Sequence, residues 1–403
     1  MKLLYRFLFV LIFIGIFVLV VGYAKGYRFD LNKKPLMTST GILAISSYPQ
    51  AAKIYINGQL KGITDTSITV PPGNYQIDIK KDGYTSLTKN VILKGELVVT
   101  IDALLFPLNP TLSPLTNLGV IKASPIDDTE KMIIFVDKGS DDLSDEKNGI
   151  YLFESGKKPL PFFPPLNTII LKKNIPQKVD FKSAKTTVSP DLKEAIIEFG
   201  DKSTNKVVYL LSLESENTTP FDVTASYDKL ITAWTEKKLS NNLKILETFP
   251  PEFAKVASQS VEIINFSPSE TKLLYRVLTP ETLPEIITPP LVTANQGKES
   301  RNLIKGNVYV YDKKEDKNYL ITAGTEPISN DQILWYFDSK HLLVNQGKKI
   351  VVLGYDGDNS QTIYSGPYES SFFMSTLDGK IVVLSNLNPE ANLFPDLYLV
   401  GTR

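Results

Sequence analysis

The chain opens with one unbroken apolar run and continues with many short stretches in which apolar and polar residues alternate. The run Phe7–Ala24 contains no charged side chain, and eighteen helical residues span about 27 Å, close to the hydrocarbon core of a bilayer. It predicts a single-pass signal anchor over residues 1–24 that contacts the membrane through residues 7–24. A cleaved signal peptide is the alternative, because Gly22-Tyr23-Ala24 has small residues at the spacing of a cleavage site.

The segment after this run, residues 25–40, reads as a basic juxtamembrane linker. Its positive charges (Lys25, Arg28, Lys33 and Lys34) do not by themselves favour an outside location for the rest of the chain. We still expect the bulk of the chain to be extracytoplasmic at the cell membrane, because large domains translocate despite flanking charges.

Residues 41–103 predict a small antiparallel β-domain. Short stretches of alternating apolar and polar residues are separated by turn residues, at Ile42–Ser46, Lys53–Ile56, Ser67–Val70, Tyr75–Ile79 and Asn90–Asp102. Asn57-Gly58 predicts a two-residue hairpin, since both positions accept positive φ.

This segment resembles the PEGA family. The resemblance rests on Pro49-Gln50-Ala51-Ala52, on Ile54-Tyr55-Ile56-Asn57-Gly58, on Val70-Pro71-Pro72-Gly73-Asn74-Tyr75 and on Gly83-Tyr84. The first of these departs at two of four positions from the motif that names the family. The resemblance implies an extracytoplasmic, sandwich-like module attached to membrane anchors, and it implies no catalytic residue.

The remaining chain repeats. Residues 104–117 contain three prolines and predict a linker, and residues 118–403 contain six similar units of about 48 residues. Each unit has a polar turn followed by an apolar strand, at Lys131–Val136, Ala195–Phe199, Leu230–Trp234, Leu273–Val277, His341–Val344 and Ile381–Leu384. This spacing predicts a β-propeller of about six blades in an all-β protein. Seven blades, with an irregular one at 251–260, and a pair of two-sheet sandwiches are the alternatives.

Two short motifs resemble the TolB-like and WD40-like propellers. Ser189-Pro190-Asp191 is similar to the blade turn of that class, and Tyr355–Ser360 is similar to its hairpin between outer strands.

Composition excludes several chemistries. The chain has no cysteine and one histidine, His341, so thiol catalysis, Cys-ligated metals and multi-histidine centres are ruled out. The 44 basic and 44 acidic residues balance, which argues against nucleic acid as a partner. His341 begins an apolar strand without a nucleophile or carboxylate that the sequence can place beside it, and we interpret it as a strand-edge residue.

The other polar candidates each have an ordinary interpretation. Asp356, Asp358 and Ser360 have the spacing of a calcium loop but lack its glycine and glutamate, which favours a hairpin. The acidic loop Asp137–Glu146 suits a divalent cation or a solvated blade loop, and the solvated loop is favoured. Trp234 and Trp335, each in an apolar strand, suit a sugar platform or the blade core, and the core is favoured. No catalytic, metal-binding or cofactor-binding residue and no cofactor is therefore assigned.

The pattern as a whole favours a non-catalytic binding or scaffolding protein with a protein or cell-envelope polysaccharide partner on one propeller face. The loops Asp137–Glu146 and Thr279–Lys305 are the first places to look for that face. A propeller hydrolase that cleaves glycans with paired carboxylates, and a passive surface spacer, are the alternatives.

Overall fold

The structure is a computed structural model that describes residues 2–24, 28–29, 37–127, 129–137, 145–155, 166–200, 206–291, 298–321, 330–369, 372–390 and 393–402. These residues fall into two compact units, the first within 1–108 and the second within 109–290 and 297–403. Strands predominate in both units.

The predicted N-terminal helix is present as α1 (Lys2–Ala24). The stretch Tyr5–Tyr23 is long and apolar enough to cross a membrane, and none of it is buried against the rest of the described chain. Apolar side chains exposed around the whole helix suit a lipid environment rather than water. Two short strands follow, β1 (Arg28–Phe29) and β2 (Met37–Thr38), and they pair antiparallel.

The first unit contains a small β-sandwich. Its strands are β3 (Gly41–Tyr48), β4 (Lys53–Ile56), β5 (Gln59–Ile63), β6 (Thr66–Val70), β7 (Gly73–Lys80), β8 (Ser86–Leu93) and β9 (Val98–Leu104). They form a three-stranded sheet, β6-β3-β9, and a four-stranded sheet, β5-β4-β7-β8. Alternate residues such as Leu43, Ile54 and Ile77 point inward and are fully buried between the sheets.

The predicted hairpin of this sandwich is confirmed. Asn57 and Gly58 have φ of 49° and 78° and join β4 to β5. The antiparallel prediction holds for every pair in these two sheets except β3 with β9, which run parallel. The antiparallel prediction is wrong for this pair, because alternation within a strand does not reveal the direction of its neighbour.

The predicted β-propeller is confirmed in the second unit, whose described residues form five four-stranded antiparallel sheets, or blades. The first propeller strand along the chain, β10 (Thr111–Pro114), belongs to the last blade, blade 5. Blade 1 is β11 (Val120–Pro125), β12 (Lys131–Val136), β13 (Gly149–Glu154) and β14 (Leu166–Leu171), and blade 2 is β15 (Lys185–Val188), β16 (Glu194–Phe199), β17 (Val207–Ser212) and β18 (Phe221–Asp222). Two helices follow, α2 (Tyr227–Leu246) and α3 (Pro251–Ser260).

The later blades follow these helices. Blade 3 is β19 (Val261–Phe266), β20 (Lys272–Val277), β23 (Val308–Asp312) and β24 (Lys317–Ile321), with β21 (Glu281–Thr282) and β22 (Asn302–Leu303) between its second and third strands. Blade 4 is β25 (Ile333–Trp335), β26 (His341–Asn345), β27 (Ile350–Gly354) and β28 (Gln361–Tyr364), and blade 5 is completed by β29 (Phe373–Ser375), β30 (Ile381–Ser385) and β31 (Asp396–Gly401). Short 3-10 turns lie at Asp145–Lys147, Lys172–Asn174, Phe181–Ser183, Thr224–Ser226 and Asn330–Gln332.

Consecutive blades bury their faces against one another. Apolar cores are shared by blades 5 and 1, by blades 1 and 2, and by blades 3 and 4. Blades 4 and 5 meet where the hydroxyl of Tyr336 donates a hydrogen bond to the carbonyl of Gly379. The first strands of blades 3, 4 and 5 contact one another in series, as the inner strands of a propeller do.

The expected count of about six blades needs a correction. Leu230–Trp234, interpreted above as a strand, lies in α2, and the described residues hold five blades. The N-terminal part of α2 covers the free face of blade 2 with Leu230 and Trp234, while α3 covers blade 3 with Phe253. A pair of helices therefore occupies the place in the ring where the sixth repeat was expected.

The residues predicted as a linker also contribute to the propeller. Within 104–117, Thr111–Pro114 form β10, which pairs with β31 near the C-terminus. An N-proximal strand thus completes the last blade and closes the ring.

Candidate functional site

The two ends of the blades differ in their connections. Because successive strands alternate in direction, the first-to-second and third-to-fourth connections emerge at one end of a blade. We call this end the turn face. The second-to-third connections and the blade-to-blade connections emerge at the opposite end, which we call the loop face.

The first-to-second connections of the turn face are short and alike. In blade 2 the hydroxyl of Ser189 accepts a hydrogen bond from the backbone N–H of Glu194 at 3.0 Å, and in blade 3 Ser267 accepts one from Lys272 at 3.1 Å. The same position of each turn adopts positive φ in four blades, at Leu192, Glu270, Ser339 and Gly379. The Ser189-Pro190-Asp191 motif is therefore confirmed as a blade turn, and the polar groups of these turns bond within the turn or to a neighbouring blade.

The loop face is irregular by comparison. Its second-to-third connections range from residues 346–349 in blade 4 to residues 278–307 in blade 3. Large apolar side chains are exposed on these connections, among them Leu278 (50%), Ile304 (58%), Leu387 (40%) and Leu393 (80%). Variable loops that expose apolar groups on a rigid scaffold are typical of a binding surface.

Both loops singled out from the sequence connect second to third strands, so both begin and end at the loop face. In the loop 137–146, Asp137 accepts a hydrogen bond from Lys172 Nζ at 2.5 Å and one from Asn148 Nδ2 at 3.3 Å. Its carboxylate therefore has structural partners. Residues 138–144 of the acidic loop lie outside the described residues.

The second loop, 279–305, is an insertion that folds back along blade 3. The backbone N–H of Ser300 donates to Asn318 O at 2.8 Å, and Glu299 forms a bridge with Tyr319 of the outer strand β24. The insertion thus covers an otherwise open sheet edge, while Leu278 and Ile304 at its two bases stay exposed.

Asp316 anchors this insertion. Its Oδ2 accepts the N–H groups of Ile286 at 2.7 Å and Ile287 at 2.9 Å, and its Oδ1 accepts the hydroxyl of Tyr311 at 2.9 Å. Arg301 pairs with the same carboxylate at 3.2 Å. Burial alone raises the pKa of Asp316, but these hydrogen bonds outweigh it and hold the pKa below its ordinary value.

His341 lies at the start of β26, on the turn face of blade 4. Its Nδ1 is 2.7 Å from Asp338 Oδ2, so the structure supplies the carboxylate partner that the sequence could not place. Asp338 Oδ1 also accepts the N–H groups of Lys340 and His341. Burial raises the pKa of Asp338, yet the bonds from His341 and the backbone leave it below the ordinary value. The pair secures the turn that precedes β26.

The calcium-like spacing falls on the hairpin between β27 and β28. Asp356 Oδ1 accepts the N–H of Asp358 at 3.2 Å, and Gly357 has a φ of 80°. Ser360 lies in the same connection. Within the described ranges, no group of three or more His, Cys, Asp or Glu side chains is arranged to hold a metal ion.

The two tryptophans lie in different environments. Trp335 is in β25, 6% exposed, in the core between blades 3 and 4, as the core interpretation expected. The strand expected at Trp234 is wrong, because this residue lies in α2. There it is half-buried against Ile196 and Val208 of blade 2.

The comparisons with known proteins concern two parts of the chain. Residues 40–109 match the PEGA domain family. No curated protein sequence matches the chain significantly.

Solved structures that are similar include a TolB protein from Agrobacterium tumefaciens (13% identity, TM-score 0.23, 67% of this chain and 71% of that one). They also include an oxidoreductase described as a glucose dehydrogenase from Thermus thermophilus (11% identity, TM-score 0.29, 72% of this chain and 100% of that one). A third is the Dos1 propeller (11% identity, TM-score 0.21, 93% of this chain and 81% of that one). At these identities and TM-scores, no activity or partner is transferred from them. The chain carries an N-terminal apolar helix, a PEGA domain at residues 40–109, and a β-propeller whose structural neighbours include TolB.

Proposed function

We propose that this chain is a membrane-anchored envelope protein whose propeller binds a partner at its loop face and does not catalyse a reaction. The partner is a protein or a cell-envelope polysaccharide. In this proposal α1 is a single-pass anchor, residues 25–40 are the juxtamembrane linker, and the bulk of the chain is extracytoplasmic.

The observation that carries the proposal is the contrast between the two faces. The turn face is built from repeated turns whose polar groups are bonded within the turn or to a neighbouring blade. The loop face has connections of unequal length on which Leu278, Ile304, Leu387 and Leu393 are exposed, whereas the turns of the opposite face expose Leu192 and Leu377. A surface that a partner covers carries exposed apolar side chains, and the loop face has more of them.

Site-specific photo-crosslinking in intact cells tests the choice of face. A photoreactive residue is placed at Ile304 or Leu393 on the loop face, and at Leu192 or Leu377 on the turn face, where both leucines are also exposed. We expect adducts that saturate with expression level from the loop-face positions only. Equal adducts from both faces, or none from either, would refute the proposal.

Protease treatment of intact cells tests the location. We expect the chain beyond residue 40 to be digested from outside once any outer layer is permeabilised. Protection of the whole body until the cell membrane is lysed would contradict an extracytoplasmic location.

A further inference from the structure

A lysine-rich connector joins blade 1 to blade 2 on the loop face. Residues 172–185 contain a single acidic residue, Asp180, and five lysines: Lys172, Lys173, Lys178, Lys182 and Lys185. The segment links the fourth strand of one blade to the first strand of the next, so it lies on the same face as the exposed loops.

The connector is anchored to the core between blades 1 and 2 by Phe181. Phe181 is fully buried, with its ring centroid 5.6 Å from that of Phe135 in blade 1 and 6.0 Å from that of Phe199 in blade 2. Lys182 and Lys185, which follow Phe181 by one and four residues, are exposed. Their backbone is therefore fixed while their ammonium groups face solvent, which lowers the entropy lost when a ligand binds.

Among the described residues, the carboxylates beside these lysines already have partners: Glu198, directly opposite Lys185 in the sheet, pairs with Lys206 at 2.7 Å and accepts the hydroxyl of Tyr227. Lys172 forms an ion pair with Asp137. Asp180 accepts the backbone N–H of Lys182 with one carboxylate oxygen, at 3.0 Å. A further cation, Lys122 of β11, extends to this place and donates to the carbonyls of Lys182 and Ala184.

The charges are close enough to affect one another. Burial and the neighbouring charge of Lys185 lower the pKa of Lys122, with Asp180 offsetting part of the effect. A group of cations that repel one another is relieved by a bound anion.

We infer that Lys182 and Lys185, with Lys122 beside them, bind an acidic segment of a polypeptide partner. This inference rests on the proposed binding role of the loop face and names the chemistry of its partner. A polypeptide is favoured over a polysaccharide because blade 5, which packs on the other face of blade 1, exposes Leu387 and Leu393 on the same loop face. A face that carries both aliphatic side chains and cations matches a chain that carries both carboxylates and apolar side chains.

Fluorescence anisotropy on the full-length protein in nanodiscs of zwitterionic lipid tests this inference. The probes are a labelled peptide of glutamate and leucine, the same peptide with glutamine for glutamate, and a labelled hyaluronate oligosaccharide. The test variant is K182E/K185E. The matched control is K314E/K340E, which makes the same charge change at two exposed lysines of the turn face.

We expect the wild type to prefer the glutamate peptide to both other probes, with affinity that falls as salt rises. Reversing two charges at contact distance should weaken binding by about tenfold or more, whereas the control should change it by less than about twofold. K185Q should lie between the two. Thermal unfolding checks that each variant folds.

Equal binding by the test variant and the control, or a preference for hyaluronate, would overturn the inference. If photo-crosslinks at Ile304 and Leu393 persist while K182E/K185E binds normally, the loop face remains a binding surface and only its proposed acidic ligand is wrong.

Discussion

Arg301 Nη1 lies 3.2 Å from Asp316 Oδ1, and this ion pair fixes the long insertion of blade 3 to the turn between β23 and β24. The same carboxylate accepts hydrogen bonds from the backbone N–H groups of Ile286 and Ile287 and from the hydroxyl of Tyr311. Four groups of the protein therefore bind Asp316. Asp316 therefore holds the insertion against blade 3, in addition to the pairing of its own short strands, β21 and β22.

The first prediction concerns this anchor. Asp316→Asn removes the charge that Arg301 faces and replaces one acceptor oxygen with a donor, so a buried N–H or hydroxyl loses its partner. We expect a loss of about 2 kcal/mol in the local stability of residues 279–305, measured by hydrogen exchange of the Ile286 and Ile287 amides. Asp127→Asn is the control, because its pair with Lys238 is exposed on both sides and should contribute less than about 1 kcal/mol. Unchanged exchange in the Asp316 variant would contradict the anchor.

The second prediction concerns pH. Because the pKa of Asp316 is below its unfolded value of about 3.9, its stabilising contribution is complete above that value and is lost as pH falls through the folded pKa. We expect protection of the insertion, corrected for intrinsic exchange, to stay constant from neutral pH to about 4.5 and to fall below about 4. In Asp316→Asn this fall should be absent or much smaller. The same fall in both proteins would assign the acid sensitivity to other groups.

The third prediction concerns a buried ion pair. Lys272 Nζ lies 3.2 Å from Asp312 Oδ2, both side chains are under 10% exposed, and the same ammonium group lies over the ring of Tyr355 in blade 4. Lys272→Met leaves Asp312 charged and buried, which should cost about 3–5 kcal/mol of stability in thermal unfolding.

Two comparisons make that result specific. Lys193→Met breaks an exposed pair with Glu214 and should cost less than about 1 kcal/mol. Lys272→Met combined with Asp312→Leu should recover part of the loss, because no unpaired charge remains. A double variant as unstable as the single one would show that packing, and not charge, dominates at this place.

The fourth prediction uses the closure of the ring. Leu112 of β10 lies directly opposite Val400 of β31, and such antiparallel partners have Cα atoms about 4.5–5.5 Å apart, within the range of a disulfide. Since the chain has no cysteine, Leu112→Cys with Val400→Cys creates one possible bridge. We expect it to form under oxidising conditions, to shift the mobility of the protein on a non-reducing gel, and to raise the melting temperature reversibly with reductant.

The pair Leu112→Cys with Val382→Cys is the negative control, because β30 is separated from β10 by β31. A bridge in the control, or none in the test pair, would place β10 elsewhere.

Much of this fold could be predicted from local sequence. Local sequence predicts the apolar run of bilayer length, the Asn57-Gly58 hairpin and the strands of five repeats. Each of these features depends on the hydrophobic period and the turn residues of one short stretch. The strand predicted at Leu230–Trp234 is wrong because a short apolar stretch is compatible with a strand or a helix. Its packing against Ile196 and Val208 of blade 2 favours the helix, and the sequence does not show that packing. Thr111–Pro114 looked like linker because the partner strand lies at the far end of the chain.

The loop face was only partly predictable, because local sequence shows which strands a loop connects but not what the loop contacts. Counting strands places both loops on one face, but the sequence does not show that the insertion 279–305 folds back on blade 3, since this depends on Asp316. The lysines of 172–185 were visible in the sequence. Their importance depends on Lys122, which comes from a different blade and reaches them only in the folded chain.

The strand that closes the propeller is also the propeller strand nearest to α1 along the chain. In the proposed arrangement, with α1 as the anchor, a partner that pulls on the propeller would load the chain through the PEGA domain into β10, whose hydrogen bonds to β31 hold the ring shut. Four residues, Thr111–Pro114, would then carry that load, although they belong to an outer strand and not to the loops of the proposed binding face.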